Sequence, residues 1–351
     1  MAFPNPDTIP SPALLFDREA ISRNLRAMLT IADDRPELLR PHIKTHKCSA
    51  IVREQLSLGI TRVKCATLAE AEMAAEAGVA DILVAYPLVG PNPHRLVELM
   101  QRFPETQFSA LVDSETTLSA IVTLAEKPVS LFLDLDIGMG RTGIRPGSEA
   151  VALVEAMVKN EMIRFAGIHA YDGHNHLADL GERRELFDQS MSLLDSFTEQ
   201  LRRENIDVPL LIRGGSPTFP LHLEHARQSQ IRSEFSPGTV ALWDTGYGES
   251  HRDLPFEIAA CVLTRVISHP GPDRLCLDLG LKAIAAENPL ERRVVIPELG
   301  DCTYRSQSEE HLVVELRSLA RDHFPIGTAL QAFPRHICPT VALYNRAYVD
   351  A

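Results

Sequence analysis

The segment TRVKCATLAEAEMAAEAGVADILVAY, residues 61–86, contains the pattern that decides the fold of this chain. An apolar and β-branched run (61–67) is followed by LAEAEMAAEAG (68–78), where small and apolar residues recur at helical spacing, and then by a second apolar run (81–86). A glycine ends the helical stretch, as is common just beyond a helix. The segment therefore predicts a strand, a helix and a second strand.

The same alternation continues from about residue 38 to residue 238. The strand candidates are 38–44, 61–67, 81–86, 107–113, 129–136, 165–171, 208–214 and 231–238. Eight strands, each followed by a helix, make up a (β/α)8 TIM-type barrel. An open doubly wound sheet has the same periodicity, but no GxGxxG follows the first strand, so its dinucleotide-binding form lacks a phosphate loop.

Strand-like runs without intervening helices follow residue 250. They are IAACVLTRVIS (258–268), RLCLDLGLKAIA (274–285), RRVVIPEL (292–299), EEHLVVEL (309–316) and TVALYNRAYV (340–349). These runs predict an antiparallel β domain, to which SPALLFD (11–17) adds a further strand. We therefore expect an α/β protein with a barrel over 18–245 and a β domain from 1–17 and 246–351.

The net charge and the cysteine content of the chain limit its possible binding partners and its cellular compartment. The net charge is −12, from 35 Lys plus Arg against 47 Asp plus Glu, which opposes binding to nucleic acid. The N-terminus has no basic segment before a long apolar run, and no stretch approaches a membrane span. Six cysteines without a CxxC pair fit reduced thiols. The sequence thus predicts a cytoplasmic protein without a membrane partner.

The first predicted strand ends in RPHIKTHK, residues 40–47. Strand alternation would send Arg40, His42, Lys44 and His46 to one side. A solvated basic turn explains such a cluster when it is isolated, but the chemistry of a barrel lies at the carboxyl ends of its strands. A lysine crowded by cations is a good amine nucleophile towards an aldehyde.

Two glycine-containing loops follow the seventh and eighth strands. The first carries Gly214, Gly215, Ser216 and Thr218, and the second carries Ser236 and Gly238. Glycines allow backbone amides to approach an anion, and these two loops are the usual phosphate site of a barrel. Each loop alone is ordinary turn chemistry. Together with a lysine across the barrel, they suggest a phosphorylated aldehyde cofactor.

The fifth and sixth strands end in polar segments, DLDIGMGRTG (134–143) and GIHAYDGHNH (167–176). Arg141 could donate to an oxygen of a planar ligand, or instead pair with Asp134 or Asp136. The histidines of the second segment have no recurrent metal-ligand spacing, so we treat His174 as a candidate base.

Near the C-terminus, RHICPT places His336 and Cys338 two residues apart, on one face of an extended segment. Imidazole and thiolate suit zinc and similar divalent ions, and two protein ligands would leave positions open for water and substrate. A buried cysteine more often serves as a small hydrophobic residue of the core than as a metal ligand.

With these motifs assembled, the chain resembles the D-threonine aldolase and D-serine dehydratase family, fold type III pyridoxal-phosphate enzymes related in fold to alanine racemase. RPHIKTHK resembles the family's cofactor-lysine motif, GGSPT its phosphate loop, GMGRTG its ring-contacting arginine segment and HICPTVALY its metal motif.

The resemblance implies that Lys44 forms an imine with pyridoxal 5'-phosphate and that His336 and Cys338 bind a divalent metal (Zn, Mn or Mg). The implied cofactor-binding set is Lys44, His42, Arg141, Tyr171, Gly214, Gly215, Ser216, Thr218, Ser236 and Gly238. It also implies a homodimer acting on a small D-amino acid.

Two lyase reactions of this family compete. In aldol cleavage of a D-threonine-like β-hydroxy amino acid, His174 would accept the β-hydroxyl proton, and glycine and an aldehyde would form. In dehydration of D-serine or D-threo-3-hydroxyaspartate, Lys44 would remove the α-proton. Cys338 favours the dehydratases, whereas YDGH and PTVALY resemble the aldolases, and we favour aldol cleavage. An amino-acid racemase and a non-catalytic pyridoxal-phosphate carrier are more distant alternatives.

Overall fold

The computed structural model describes residues 6–349. Its residues divide into two compact units, 28–238 and 6–27 with 239–349. The strands are β1 (Ala13–Phe16), β2 (Arg62–Cys65), β3 (Asp81–Pro87), β4 (Gln107–Val112), β5 (Val129–Leu135), β6 (Ile163–Ala170), β7 (Leu211–Arg213), β8 (Ser233–Phe235), β9 (Ala260–Gly271), β10 (Arg274–Leu277), β11 (Val294–Val295), β12 (Cys302–Gln307), β13 (Leu312–Leu316), β14 (Ala329–Pro334) and β15 (Ala347–Val349).

Helices follow the strands of the first unit in the expected alternation. The helices are α1 (Arg18–Ile31), α2 (Ser49–Ser57), α3 (Leu68–Glu76), α4 (Asn92–Arg102), α5 (Glu115–Leu124), α6 (Ser148–Lys159), α7 (Leu180–Arg203), α8 (Phe219–Ala226), α9 (Thr245–Ser250) and α10 (Ile337–Val341). Side-chain caps begin several of them: Thr67 accepts from Glu70 N at the start of α3, and Ser114 accepts from Thr117 N at the start of α5.

Strands β2 to β8 pair in parallel and in sequence order, which confirms the predicted parallel α/β barrel architecture. Strand β5 is buried along its whole length, as expected when both faces of a parallel strand are covered. Leu83, Leu111, Phe132 and Ile212, from four different strands, pack together in a small cluster separate from the larger core that includes the helices. Side chains therefore alternate between these two layers.

The segment predicted as the first strand, 38–44, differs from a regular strand. Leu39 forms an isolated β-bridge with Phe235, the last residue of β8, and His42 forms one with Lys64 in β2. This short segment therefore pairs with both edge strands of the parallel sheet. A 3-10 helix then begins at Ile43. Pro41 lacks an N–H and cannot donate to a strand ladder, which explains why pairing is limited to isolated bridges.

The second unit contains an antiparallel sheet in the order β11-β14-β9-β10-β13-β12. Strand β1 pairs antiparallel with β9, which confirms that SPALLFD contributes a strand to the β domain. Val262, Val266, Leu275, Leu277 and Val314 are fully buried in the core of this unit. The alternation of buried and partly exposed residues along β13 is typical of a sheet with one solvated face.

Two details of the β domain differ from the sequence expectation. The run TVALYNRAYV was predicted as one strand, but its start lies in α10 and only Ala347–Val349 forms a strand. Strands β12 and β14 were not predicted. Residues 302–307 (CTYRSQ) have few apolar residues, because this strand is largely exposed or partly buried, and the periodic signal is therefore weak.

No helix within residues 6–349 has the length and apolar character needed to cross a membrane.

Candidate active site

Lys44 lies in the 3-10 helix Ile43–Thr45, directly after the segment that bridges β2 and β8. The ring of His42 is the N-cap of this helix, and its Nδ1 accepts from the Lys44 amide at 3.4 Å. Burial, followed by the charges of Lys64 and Lys44, holds the pKa of His42 well below its usual value. His42 is therefore neutral and can act as this acceptor. Because the 3-10 helix interrupts the extended backbone, the predicted alternation does not continue from His42 to His46.

Three basic side chains lie around the ring of Tyr171. Lys44 Nζ lies 6.0 Å, Lys64 Nζ 5.6 Å and Arg141 Cζ 5.2 Å from the ring centroid. Tyr171 directly follows β6, and Arg141 follows β5, so the carboxyl ends of neighbouring strands bring these groups together. The structure therefore places Lys44, Arg141 and Tyr171, three residues predicted from the sequence, in one cluster.

Lys64 was not among the predicted site residues. Its Nζ lies 3.3 Å from His169 Nε2, and His169 Nδ1 lies 2.7 Å from Asp134 Oδ1. Thr142 donates its hydroxyl to the other oxygen of Asp134. The signal available in the sequence was a lysine between Val63 and Cys65 in β2, since a buried charge needs a partner.

The predicted phosphate loop begins immediately after β7. Gly214 has φ +82°, and a Cβ at this position would lie 2.5 Å from His222 Cδ2. A Cβ on Gly215 would lie 3.4 Å from Tyr171 Cε2, so the loop passes close to the tyrosine ring. Thr218 is the N-cap of α8, and the N-terminal end of a helix favours an anion.

The second loop is tied to the first. Gly238 donates its amide to Ser216 Oγ at 3.1 Å. The Ser236 hydroxyl is buried, and no group between residues 6 and 349 forms a hydrogen bond with it. A buried hydroxyl without a partner beside a glycine loop and a helix N-terminus fits an absent phosphate oxygen. The residues present are thus suited to pyridoxal phosphate, with Lys44 across the barrel to take its aldehyde.

A buried hydrogen bond between a histidine and an aspartate supports the predicted phosphate loop from behind. His222 Nε2 lies 2.9 Å from Asp172 Oδ2, and both side chains are inaccessible to solvent. Burial, the largest single effect, acts to raise the pKa of Asp172, but His222 and the hydrogen bond with it help to hold that pKa below its usual value. Because the His222 ring occupies the space where a Gly214 side chain would lie, this pair fixes the path of the loop.

His174 lies against α7. Its Nε2 lies 3.3 Å from Ser190 Oγ, and a Cβ on Gly138 would meet the same nitrogen at 2.9 Å. The other ring nitrogen, Nδ1, is buried and has no hydrogen-bond partner in the part of the chain that the structure describes. One ring nitrogen of His174 is therefore not used in a hydrogen bond among these residues.

The two aspartates that were alternatives as partners of Arg141 have other contacts. Asp134 is bonded to His169 and Thr142, and Asp136 Oδ1 accepts from the amides of Gly138 and Gly140 at 3.0 Å each. Asp136 thereby shapes the glycine loop that carries Arg141.

In the second unit, His336 and Cys338 are neighbours, although not on an extended segment as predicted. His336 is the N-cap of the short helix α10 and Cys338 lies within that helix, because the chain turns helical at Ile337. Hydrogen bonding to Cys338 is the largest of the effects that raise the pKa of His336 to about 9. His336 Nδ1 also lies 2.8 Å from Glu287 Oε1.

This donor set fits a divalent ion in part. An imidazole and a thiol are good zinc ligands, and a carboxylate on the distal ring nitrogen orients a ligating histidine. Within residues 6–349, no group of three or more His, Cys, Asp or Glu side chains is arranged to hold a metal. An ion bound by His336 and Cys338 would therefore need further ligands from water or substrate. Glu287 was not predicted, and its position 49 residues before His336 gives no local signal.

Comparisons with known proteins agree with this architecture. A family model described as the N-terminal domain of alanine racemase matches residues 16–241, and one described as a putative serine dehydratase domain matches residues 259–349. The first match spans the parallel strands and the residues around Tyr171, and the second spans the antiparallel sheet and His336.

Curated relatives cover nearly the whole chain. The D-threonine aldolase of Arthrobacter sp. is 32% identical over 343 residues, covering 96% of this chain and 88% of the relative. The D-threo-3-hydroxyaspartate dehydratase of Delftia sp. is 25% identical, covering 96% of this chain and 93% of the relative. Such aldolases and dehydratases are lyases.

A solved structure of similar shape is the D-threonine aldolase of Filomicrobium marinum. It matches with a TM-score of 0.86 at 26% identity, and the match covers 96% of this chain and 90% of that structure.

Proposed function

The chain belongs to the family of proteins with an alanine racemase N-terminal domain, and this family implies pyridoxal phosphate as the cofactor. We propose that the chain is a pyridoxal-phosphate lyase that acts on D-β-hydroxy amino acids. The observation that carries the proposal is the cluster of Lys44, Arg141 and Tyr171 beside the glycine loop after β7. Bound pyridoxal phosphate supplies an electron sink for the bond that breaks at Cα.

Each residue of the proposed site has one task. Lys44 would hold the cofactor aldehyde, while Gly214, Gly215, Ser216, Thr218, Ser236 and Gly238 would surround its phosphate. The Arg141 guanidinium would donate to the ring oxygen, and His42 supports the backbone of Lys44. Tyr171 would shield the cofactor from water.

We favour aldol cleavage over dehydration. In this reaction a base removes the β-hydroxyl proton, the Cα–Cβ bond breaks, and Cα regains a proton, so that glycine and an aldehyde leave. The Nδ1 nitrogen of His174 has no hydrogen-bond partner within residues 6–349, and this suits His174 to accept the hydroxyl proton. The relatives that match over most of the chain include both D-threonine aldolase and hydroxyaspartate dehydratase, so dehydration remains the second candidate.

A divalent metal is part of the proposal, with His336 and Cys338 as its protein ligands. Such an ion supplies Lewis acidity towards a substrate oxygen in either reaction. Zinc suits the imidazole and thiol donors best, with manganese and magnesium as alternatives. We also propose a homodimer in the cytoplasm, with a small D-amino acid as its substrate.

The cofactor lysine is tested by reduction. Protein loaded with pyridoxal phosphate is treated with borohydride and digested, and the modified peptide is identified by mass spectrometry. We expect the label on Lys44, and Lys44→Ala should abolish both the label and the yellow colour. Labelling of Lys47 or Lys64 instead would overturn the assignment.

One coupled assay separates the two reactions. Aldehyde and 2-oxo acid are measured in parallel after incubation with D-threonine and D-serine. Release of aldehyde from D-threonine supports the aldolase, whereas 2-oxo acid with ammonia supports the dehydratase. Absence of both products would contradict the proposed lyase.

A further inference from the structure

Lys64 is a buried cation within a strand. It belongs to β2, and only 2% of its surface is exposed to solvent. An ammonium group removed from water is strongly destabilised unless it is paired. A neutral apolar residue would fill this strand position at lower energy, so the lysine at this position requires an explanation.

The only hydrogen-bond partner of Lys64 Nζ within residues 6–349 is His169 Nε2, at 3.3 Å. His169 Nδ1 contacts the Asp134 carboxylate at 2.7 Å. This geometry assigns the Nδ1 proton of His169 to the bond with Asp134, which leaves Nε2 as an acceptor for the Lys64 amine. The three side chains form a chain from β2 through β6 to β5, and Asp134 at its end favours a proton on Lys64.

Lys44 and Lys64 are close enough to influence each other. The Lys44 and Lys64 amines lie 6.0 and 5.6 Å from the centroid of the same Tyr171 ring. The charged and titratable groups that act on Lys64 come from every side of the site: Lys44, Arg40, His42, Asp134, His169 and Asp172. Two ammonium groups in one buried site repel each other, so one of them gives up its proton readily.

We propose that Lys64 is a positioning residue that, held by His169 and Asp134, favours the unprotonated form of the Lys44 amine, which is the form reactive towards an aldehyde. This inference rests on the proposed function, because it requires Lys44 to be the lysine that takes the cofactor. A cation beside a reactive lysine is a known way to make its amine nucleophilic. Lys64 itself needs no contact with substrate for this role.

The two amines influence each other's protonation. Burial, and after it the charge of Lys44, lowers the pKa of Lys64 to about 7, while Asp134 and Asp172 act in the opposite direction. Lys64 is therefore partly protonated at neutral pH, and its contact with His169, which is bonded to Asp134, favours the charged form.

The test measures how Lys44 reacts with pyridoxal phosphate as a function of pH. Apo-protein is mixed with the cofactor at a series of pH values, trapped briefly with borohydride, and the Lys44 peptide is quantified. The variants are Lys64→Met, which removes the charge, and Lys64→Arg, which keeps it. The matched control is Lys47→Met, since Lys47 lies three residues after Lys44 but its side chain is 43% exposed and its charge is screened.

We expect the pH midpoint for Lys44 to rise by about one unit in Lys64→Met, which lowers its reaction about tenfold at a fixed pH below the midpoint. Lys64→Arg should restore the original midpoint or lower it, and Lys47→Met should leave it unchanged. An unchanged midpoint in Lys64→Met would overturn the proposal. So would failure of Lys64→Arg to restore it, because a purely structural role does not depend on charge.

A second measurement needs no variant and covers the case in which Lys64→Met does not fold. In the wild-type apo-protein, acetylation rates of Lys44 and Lys47 are compared over the same pH range. Lys44 should titrate at least one unit below Lys47, and equal midpoints would contradict the inference. If wild-type Lys44 acquires no cofactor label at all, the proposed function fails instead, so the two failures are distinguishable.

Discussion

Arg40 and Glu234 form a buried ion pair, with 2.7 Å between Arg40 Nε and Glu234 Oε2, although they are 194 residues apart in the chain. Only 1% of either side chain is exposed. Arg40 also donates from both terminal nitrogens to Asp81, at 2.8 Å each, which connects it to the first residue of β3. The pair joins the segment that precedes Lys44 to β8, and it explains one of the basic residues of RPHIKTHK as structural rather than catalytic.

Replacing Glu234 by Gln should therefore destabilise the barrel. The substitution removes one charge from a buried pair and leaves Arg40 only partly compensated, which typically costs about 3 kcal/mol. Urea unfolding followed by circular dichroism should show a lower midpoint. Glu199→Gln, at an exposed ion pair with Arg202, is the control and should leave the midpoint unchanged. Equal midpoints for the two variants would show that the buried pair is not important for stability.

His174→Gln should slow aldehyde release from D-threonine by about a hundredfold or more, because it removes the proposed base for the β-hydroxyl proton. Binding of D-threonine, followed by the change in cofactor absorbance, should persist. His176→Gln is the matched control, since His176 is exposed and lies two residues away. Similar rates for both variants would remove His174 from the mechanism.

Proton exchange at Cα gives an independent check of the reaction. An aldolase breaks the Cα–Cβ bond without removing the α-proton of D-threonine, so substrate recovered from deuterium oxide should keep that proton. Recovered substrate deuterated at Cα, together with 2-oxo acid and ammonia, would replace the aldolase by the dehydratase.

Chelation should suppress turnover while leaving the absorbance of the bound cofactor largely intact, because in the proposed site Lys44 and the two glycine loops, not the metal, hold the cofactor. His336→Ala should likewise lower kcat, and added zinc should not restore it. His323→Ala is the control, since His323 is exposed and its Nδ1 contacts only the Ala320 carbonyl among the contacts observed within residues 6–349. Full activity of His336→Ala in metal-free buffer would disprove the metal site.

Acid should destabilise the protein through His46. Burial lowers the pKa of His46 from 6.5 to about 4. Below pH 6.5 the unfolded chain binds a proton that the folded protein does not, so stability falls with pH until about pH 4, by on the order of 3 kcal/mol for this residue. Unfolding measured over this range should show a smaller loss for His46→Gln than for the wild type.

The control for His46 is His94→Gln, because the His94 side chain is 64% exposed. This variant should follow the wild-type pH dependence. If His46→Gln follows it as well, the burial of His46 does not contribute to the acid sensitivity.

The local sequence alone determined the order of elements and several site residues. Hydrophobic periodicity predicts the parallel strands from β2 to β8, because strands covered on both faces are built mostly from apolar residues. Gly214 and Gly215 were recognisable for a similar reason, since a backbone close to other groups leaves no space for a side chain. Lys44 was identified because a cluster of basic residues is unfavourable in a core strand, so its position at a strand end indicated a functional site.

Tertiary structure alone decided which polar residues meet. Lys64, His169 and Asp134 are separated by 105 and 35 residues, and only the closing of parallel strands around one interior brings their side chains into contact. The same holds for Arg40 with Glu234 and for His336 with Glu287. Hydrophobic periodicity reports which face of an element is buried, but it carries no information on which distant side chain lies opposite, because that depends on how all the elements pack.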